Sequence, residues 1–176
     1  MASVALVSVL GPDRVGLVAA IAEHLFNIGV NLRDTTFASL GSGAEFVALC
    51  ELPPEVTAGD VEAGLKQLAE LEGAETRAVP YAFDPSPGPA GSVTHRIAIG
   101  GGDQLGLVAR LAEVFKQYEA NIVRLEARKL PEAEGGLYVT RFAVSIPPGR
   151  TDLCLATVSN TAGALGLSCQ VEESSL

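Results

Sequence analysis

The sequence predicts an α+β protein made of two successive domains, each with the element order β-α-β-β-α-β. The main observation is an internal repeat, because residues 11–32 recur ninety positions later within residues 100–122. Both copies contain the tetrapeptide GLVA, at residues 16–19 and 106–109. A second observation is the segment 84–92, DPSPGPAGS, whose prolines and glycines are typical of a semi-extended linker. The 176 residues therefore suit two domains of roughly 80 residues each.

The first domain begins with residues 4–10, a nearly continuous apolar segment that is typical of a strand buried on both faces. A helix is predicted over residues 14–28, with Asp13 as its N-cap. The apolar face of that helix comprises Val15, Val18, Ala22, Leu25 and Phe26, supported by Ile21 and Ile28. The remaining elements are strands over 30–40, 45–52 and 75–81 and a helix over 57–72. Alternation in the third strand directs one set of side chains to the core, namely Phe46, Ala48, Cys50 and Leu52.

The second domain follows the same plan. Its predicted strands cover 93–100, 120–129, 137–146 and 166–172, its helices cover 104–118 and 152–165, and a turn covers 131–136. The helix over 152–165 contains several weak helix formers, so its prediction depends on the repeat. Two right-handed crossovers place both helices on one face of a four-stranded antiparallel sheet, which is the ferredoxin-like plan. The predicted domains are residues 1–83 and 93–176, joined by the linker 84–92.

The charge of the chain is acidic and unevenly distributed. The formal net charge is −9. Residues 1–88 contain four Lys/Arg against twelve Asp/Glu, giving −8, and residues 89–176 contain eight against nine, giving −1. Because nucleic-acid binding requires lysines and arginines that neutralise phosphates, this balance argues against direct binding of DNA or RNA. If the chain regulates transcription, a protein partner is expected.

The three cysteines, Cys50, Cys154 and Cys169, are far apart and form no CxxC or Cys/His cluster. We therefore predict buried thiols, no metal site and no cofactor. The chain starts without a basic signal segment, and no apolar run approaches the length of a membrane span. These features predict a cytoplasmic protein that does not enter a membrane.

Several functions known for this element order are disfavoured by the residues present. An RNA-recognition module needs stacking aromatics on its central strands, and here those strands carry Ala, Val and Leu. A metal chaperone needs a CxxC in the first loop, which instead reads GPDR at residues 11–14. The glycine run 100–102 lacks the further glycine at position 105 that a dinucleotide-binding loop requires.

No catalytic residues are predicted, and the chain is expected to be non-enzymatic. Its two histidines, His24 and His95, have no serine or cysteine nucleophile and no carboxylate partner nearby in sequence. Both are predicted to lie at the surface or half-buried. A catalytic group assembled from distant parts of the chain stays open at this point, because such residues need not be sequence neighbours.

The repeated segment reads G-x-D-[RQ]-x-G-L-[VL], then a helix, then [ND]-[IL] at the start of the second strand. This pattern resembles the ACT domain, a small-molecule regulatory domain of amino-acid metabolism. The first copy is similar to the form found at the N-termini of formyltetrahydrofolate deformylases. A chain with two such repeats resembles the glycine cleavage system transcriptional repressor family. The second copy departs from the first, since Gly102 replaces Pro12 and Gln104 replaces Arg14.

A free amino acid carries a carboxylate and an ammonium group, and both could be held by this pattern. Helix N-termini offer unpaired N–H groups to a carboxylate, near residues 14–16 and 104–106. The amides of Asn31 and Asn121 can both donate and accept hydrogen bonds. The resemblance implies a ligand between the loop of one domain and the second strand of another. The candidate ligand-binding residues are Gly11, Asp13, Arg14, Gly16, Asn31 and Leu32, with Gly102, Asp103, Gln104, Gly106, Asn121 and Ile122 in the second repeat.

Structural roles explain several of the same residues. Asp13 and Asp103 can act as helix N-caps, and Arg14 can be exposed or paired with a carboxylate. Gly16 and Gly106 can serve helix packing, and Asn31 and Asn121 can stabilise the turn after the helix.

Two functions remain open from the sequence. In the first, the chain is a regulatory protein that senses a small amino acid, glycine by resemblance, and controls a partner transcription regulator. In the second, it is a ligand-free scaffold that keeps the fold for oligomerisation. Because a four-stranded open sheet has exposed edges, a homodimer with a continuous or stacked sheet is expected.

Overall fold

The computed structural model describes residues 3–86, 88, 91–102, 105–131 and 136–174. The chain divides into two compact units, Met1–Pro85 and Ser86–Leu176. Each unit contains one four-stranded antiparallel sheet and two α-helices in the order β-α-β-β-α-β. The predicted fold class, two ferredoxin-like α+β domains, is confirmed.

The first domain has two helices and four strands arranged in the order β2-β3-β1-β4, so β2 and β4 are the edges of its sheet. Its elements are β1 (Ser3–Pro12), α1 (Leu17–Asn27), β2 (Asn31–Leu40), β3 (Gly43–Leu52), α2 (Ala58–Leu65), a 3-10 turn (Ala69–Leu71) and β4 (Glu75–Pro80). The central pair β1 and β3 is joined over its whole length, from Ser3 opposite Leu52 to Pro12 opposite Gly43. This pair carries the loop between β1 and α1 at one end.

The second domain repeats the arrangement with strand order β6-β7-β5-β8. Its elements are β5 (His95–Gly101), α3 (Leu107–Gln117), β6 (Asn121–Lys129), β7 (Tyr138–Ser145), α4 (Thr151–Ala164) and β8 (Ser168–Glu173). The helix predicted from the repeat alone, α4, is present. It buries Cys154, Val158 and Ala162 at four-residue spacing, so packing supplies the stability that its weak helix formers lack. Most of the turn predicted over 131–136 lies outside the described residues.

The cores of the two domains follow the predicted alternation. Phe46, Ala48, Cys50 and Leu52 are all 3% exposed or less, and they lie beneath the helices. Burial of the Cys50 thiol removes it from water and raises its pKa to about 11, so that it stays protonated. Cys154 is also buried as predicted, whereas Cys169 is half-buried, because it lies on the edge strand β8.

The predicted N-cap of helix α1 is wrong, and its predicted apolar face is only partly right. The helix begins at Leu17 and its N-cap is Gly16, so Asp13 does not cap it. Its buried face is formed by Leu17, Ile21 and Leu25. Of the predicted apolar face, Leu25 and Ile21 are buried as expected, whereas Val15 is fully exposed, Val18 40% exposed and Phe26 79% exposed. The sequence offers two apolar faces on this helix, and the sheet covers only one of them.

The predicted helix over 57–72 is shorter in the structure. Helix α2 ends at Leu65, and the backbone of Leu68 is extended, with φ −72° and ψ 129°. The chain then forms the 3-10 turn, which buries Leu71 in the core. The break in the helix therefore redirects the chain so that this last leucine still packs inward.

The two edges of the first sheet differ in how they are protected. On β4, the backbone amide of Ala78 donates to the carboxylate of Glu62 from α2, at 2.9 Å. Glu62 also accepts a hydrogen bond from Lys66 and forms an ion pair with it. A side chain that occupies an edge amide hinders the pairing of another strand. Edge strand β2 is exposed along nine of its ten residues.

Glu62 should make the stability of the first domain sensitive to acid. Its pKa is lowered, mainly by the hydrogen bond from Lys66 and then by the Ala78 amide. Because the folded pKa lies below the ordinary value of 4.5, this stabilisation is complete above that pH and is lost as the pH falls toward the lowered pKa. We expect Glu62→Gln to reduce the loss of thermal stability between about pH 5 and about pH 3. The exposed Glu23→Gln should follow the wild-type curve, and parallel curves for all three proteins would contradict this role.

Candidate functional site

The loop between β1 and α1 forms an open concavity on the surface of the first domain. It is lined by residues 13–19 and by Phe37 of β2. Gly16 is the last residue of the loop before α1, and its φ of 91° is a left-handed conformation that favours glycine. No atom lies within 4 Å of the position that a Cβ at Gly16 would occupy. The glycine is therefore required by the backbone conformation and not by close packing.

The first turn of α1 presents free amides to this concavity. The Leu17 amide donates to the Arg14 carbonyl at 3.3 Å and the Ala20 amide to the Gly16 carbonyl at 2.9 Å. Within the described part of the chain, the amides of Val18 and Ala19 have no hydrogen-bond acceptor. Unpaired amides at the N-terminus of an 11-residue helix form a partly positive surface that suits a carboxylate.

Asp13 lies at the rim of the concavity. Its carboxylate accepts a hydrogen bond from the Ser39 hydroxyl at 2.8 Å, and its amide donates to the Ser42 carbonyl at 3.0 Å. These contacts tie the loop to the end of β2. The carboxylate is exposed, so it remains accessible to a cation beside the free amides.

Arg14 also lines the concavity, but its guanidinium points to a backbone group. One Nη donates to the carbonyl of Ala69 in the 3-10 turn at 3.3 Å. The sequence offered solvent exposure or a carboxylate partner for this arginine. The structure confirms the exposure, and the partner of the guanidinium is a carbonyl group.

Gly11 has a packing role. It lies in β1, where a Cβ would come within 2.5 Å of the Ala74 side chain and 2.9 Å of its Cα. The close approach of these two backbones explains a glycine at this position without any ligand.

Gly11→Ala should destabilise the protein by about 1–3 kcal/mol, because the added methyl group overlaps Ala74. Gly102→Ala is the matched control, since nothing lies within 4 Å of its Cβ position. Urea denaturation of both variants measures the difference. Equal stability of the two variants would contradict the packing role of Gly11.

Asn31 starts β2 and contacts the neighbouring strand. Its side-chain amide donates to Glu51 at 3.1 Å, and Arg33 forms an ion pair with the same carboxylate at 3.3 Å. Leu32 is half-buried against the core. Sequence reasoning missed Glu51, Arg33 and Ser39. Glu51 and Arg33 could have been found from the alternation of β3 and β2, whereas the Ser39 contact has no local signal.

The loop and Asn31 lie at opposite ends of the same sheet. Asn31 is opposite Glu51, which is opposite Val4 near the start of β1. The loop follows Pro12, eight residues further along β1. At about 3.4 Å per residue, the two halves of the predicted site are separated by roughly 27 Å within one domain.

The second domain has the same layout at the residues that the structure describes. Gly106 is the N-cap of α3 and is left-handed with φ 80°. Asn121 begins β6 opposite Ser145, and Ile122 is half-buried against the core. Gly102 is exposed. The candidates Asp103 and Gln104 lie outside the described residues.

Both histidines pack inside their own domains. His24 lies against Gly64 of α2, and its Nε2 is buried without a hydrogen-bond partner among the described residues. His95 is 8% exposed, so its predicted half-buried position is wrong. Its Nδ1 lies 2.9 Å from the Thr94 hydroxyl. That hydroxyl also accepts from the Ile146 amide, so His95 belongs to a hydrogen-bond cluster at the end of β7.

The described residues include no group of three or more His, Cys, Asp or Glu side chains that could hold a metal ion. Within the same residues, no helix is both long and apolar enough to cross a membrane.

The fold and the glycine-capped loop define the class of protein. Residues 3–79 match the family of the ACT domain. Residues 3–79 therefore form an ACT domain, and the second domain has the same fold.

Two solved structures align with this chain over almost its full length. One is an unknown protein from Galdieria sulphuraria, at 24% identity and a TM-score of 0.77, covering 99% of this chain and 100% of that one. The other is a candidate glycine cleavage system transcriptional repressor, at 13% identity and a TM-score of 0.65, covering 100% and 99%. The predicted resemblance to that family is confirmed at the level of the fold. No curated protein sequence matches the chain.

A shorter alignment involves a formyltetrahydrofolate deformylase from Pseudomonas putida KT2440. It covers 47% of this chain and 30% of that chain, at 14% identity and a TM-score of 0.41.

Proposed function

We propose that this chain is a non-enzymatic regulatory protein of the cytoplasm that binds a small amino acid at an interface between ACT domains. It controls a protein partner in glycine, one-carbon or other amino-acid metabolism. The expected partner is a transcription regulator. The observation that carries the proposal is the β1–α1 loop, where free amides at a helix N-terminus lie beside the exposed Asp13 carboxylate.

The free amides and the Asp13 carboxylate of the loop match the two charged groups of an amino acid. The amides of Val18 and Ala19 suit the carboxylate of the ligand. The Asp13 carboxylate suits its ammonium group by a charge-assisted hydrogen bond. The concavity is lined by residues 13–19 and by Phe37, and glycine is the ligand that the resemblance to the repressor family implies.

The second half of the site would come from another copy of the chain. Edge strand β2 runs from Asn31 to Leu40, and Ser39 near its end contacts Asp13. If two β2 strands pair antiparallel around their midpoints, Asn31 of one lies opposite Leu40 of the other, about 5 Å away across the pair. Such pairing would bring Asn31 of one copy close to the β1–α1 loop of the other. The two groups could then contact one ligand although they lie far apart within a single domain.

The surface beside β2 favours this pairing. Exposed apolar residues lie on the β1–α1 loop, on α1 and on β2, namely Val15, Val18, Phe26, Phe37 and Leu40. Their burial would supply a hydrophobic contribution to association. The other edge, β4, is protected by Glu62. In the second domain, the position equivalent to Phe26 is Lys116 and that equivalent to Phe37 is Ala127, so the first domain is the better dimerisation surface.

The alternative function is a ligand-free scaffold. Specific contacts favour it, because Asp13, Arg14 and Asn31 all have hydrogen-bond partners within the domain. If the chain binds a ligand, these side chains must give up or share their present hydrogen bonds. Asn31 would either release Glu51 or contact the ligand through its own side-chain carbonyl oxygen.

Calorimetric titration of the purified chain with each of the twenty amino acids tests the proposal. We expect saturable binding of a small amino acid, together with a raised melting temperature. Absence of any response would support the scaffold instead.

A further inference from the structure

The face of the second sheet that its helices leave uncovered carries a cluster of arginines. Alternation directs the side chains of Arg96 on β5, Arg124 on β6 and Arg141 on β7 to this face. Together they line a shallow cavity of the described chain. The cavity lies on a sheet face and is therefore separate from the loop between β5 and α3.

The pairing of the strands brings the three arginines close together. Arg96 and Arg124 are both opposite Ala143, one on each side of β7. Arg141 lies two residues before Ala143 and is opposite Ala98. From the strand spacing, the backbones of the three arginines lie within roughly 10 Å of one another. Ala98 and Ala143 have short side chains, which leave space for the longer arginine side chains to approach one another.

The charges of this face are only partly compensated. Arg124 forms an ion pair with Glu126 at 3.1 Å. Among the described residues, Arg96 and Arg141 have no carboxylate within ion-pair distance, although Glu172 lines the same cavity. Three guanidinium groups therefore face two carboxylates, in a chain whose overall charge is −9. Clustered like charges repel one another, and a bound anion relieves that repulsion.

The fold does not require arginines at these positions. In the first domain, the equivalent of Arg96 is Leu6, which is opposite Leu49 and Val79. The equivalent of Arg141 is Val47, opposite Ser8. At these two positions the sheet face is apolar in the first domain and basic in the second, so Arg96 and Arg141 are a property of the second domain.

We propose that this face binds a small organic anion with two or more negative groups, such as a di- or tricarboxylate or a phosphorylated metabolite. The guanidinium group binds carboxylates and phosphates through two parallel hydrogen bonds, and three such groups can hold several charged oxygens at once. Gln170, which also lines the cavity, adds an amide that can donate or accept. The ligand would be distinct from the amino acid at the loop.

Calorimetric titration of the full chain at low ionic strength with citrate and with inorganic phosphate tests this site. We expect saturable 1:1 binding of at least one of them and much weaker binding of the monovalent acetate. Stronger binding of citrate would indicate a polycarboxylate, and stronger binding of phosphate a phosphorylated ligand. Absence of saturable binding of both anions would overturn the proposal.

Variants distinguish a built site from general attraction of anions. Arg96→Gln and Arg141→Gln should each weaken binding about tenfold or more. Arg110→Gln, on the exposed surface of α3, removes the same charge away from the cavity and should bind like the wild type. Glu126→Gln frees Arg124 and removes a negative charge, so it should strengthen binding several-fold, an effect that misfolding does not produce. Equal weakening by Arg110→Gln and Arg141→Gln would overturn the proposal.

Discussion

Asp13→Asn is expected to lower the affinity for the amino acid by about tenfold or more. The substitution keeps an oxygen that can accept the Ser39 hydroxyl, so the loop keeps its tie to β2. It removes the negative charge that would hold the ammonium group of the ligand. Isothermal titration of the variant with the amino acid that binds the wild type measures the change.

Asp152→Asn is the matched control for this substitution. Asp152 lies in the first turn of α4, so the variant makes the same chemical change at another helix start, away from the β1–α1 loop. It should bind the amino acid as the wild type does. If Asp13→Asn binds equally well, Asp13 serves only to fix the loop, and the ammonium group must be held elsewhere.

The sheets could be predicted from the sequence because their signals are local and repeated. Alternation in β3 identified its buried face, and the repeat supplied α4 where propensity was weak. The start of α1 could not be predicted in this way. Asp13 has the chemistry of an N-cap, but its carboxylate is engaged by Ser39, 26 residues away in sequence. A local sequence pattern does not predict a long-range contact of this kind.

The buried face of α1 illustrates a second limit. Periodicity shows that a helix has an apolar face, but it does not show which of two apolar faces the sheet will cover. Here Ile21 lies on the buried face and Phe26 on the exposed one. The exposure of Phe26 is informative together with that of Val18 and Phe37, because a group of exposed apolar side chains favours contact with another molecule.

Local sequence patterns also gave only part of the candidate site. The repeat identified its loop, its glycine and its asparagine, and the sheet register then placed the loop and the asparagine at opposite ends of the domain. Sequence positions alone do not give this separation, although the resemblance already implied that the loop of one domain meets the second strand of another. Ligand binding and dimerisation are therefore coupled in the proposed function, which gives a direct way to test both.

Phe26→Glu is expected to convert a dimer into a monomer, with a dissociation constant raised about 100-fold. Phe26 lies near the C-terminal end of α1 and Val18 near the N-terminal end, so antiparallel pairing of two copies would bring Phe26 of one toward Val18 of the other. A carboxylate at this position would be buried without a partner. Because Phe26 is 79% exposed, its replacement should leave the folded domain intact. Light scattering at micromolar concentration measures the change in mass.

Leu153→Glu is the control, since Leu153 is 66% exposed on α4 and lies outside the proposed interface. It should remain a dimer. The Phe26→Glu monomer should also lose the amino acid, although Phe26 does not line the loop, because the partner no longer supplies Asn31. A wild-type monomer would contradict the dimer, and full binding by a monomeric Phe26→Glu protein would contradict a shared site. Weakened binding in the Asp13→Asn dimer and loss of binding in the Phe26→Glu monomer, with binding kept by both control variants, would support a site that is assembled from two chains.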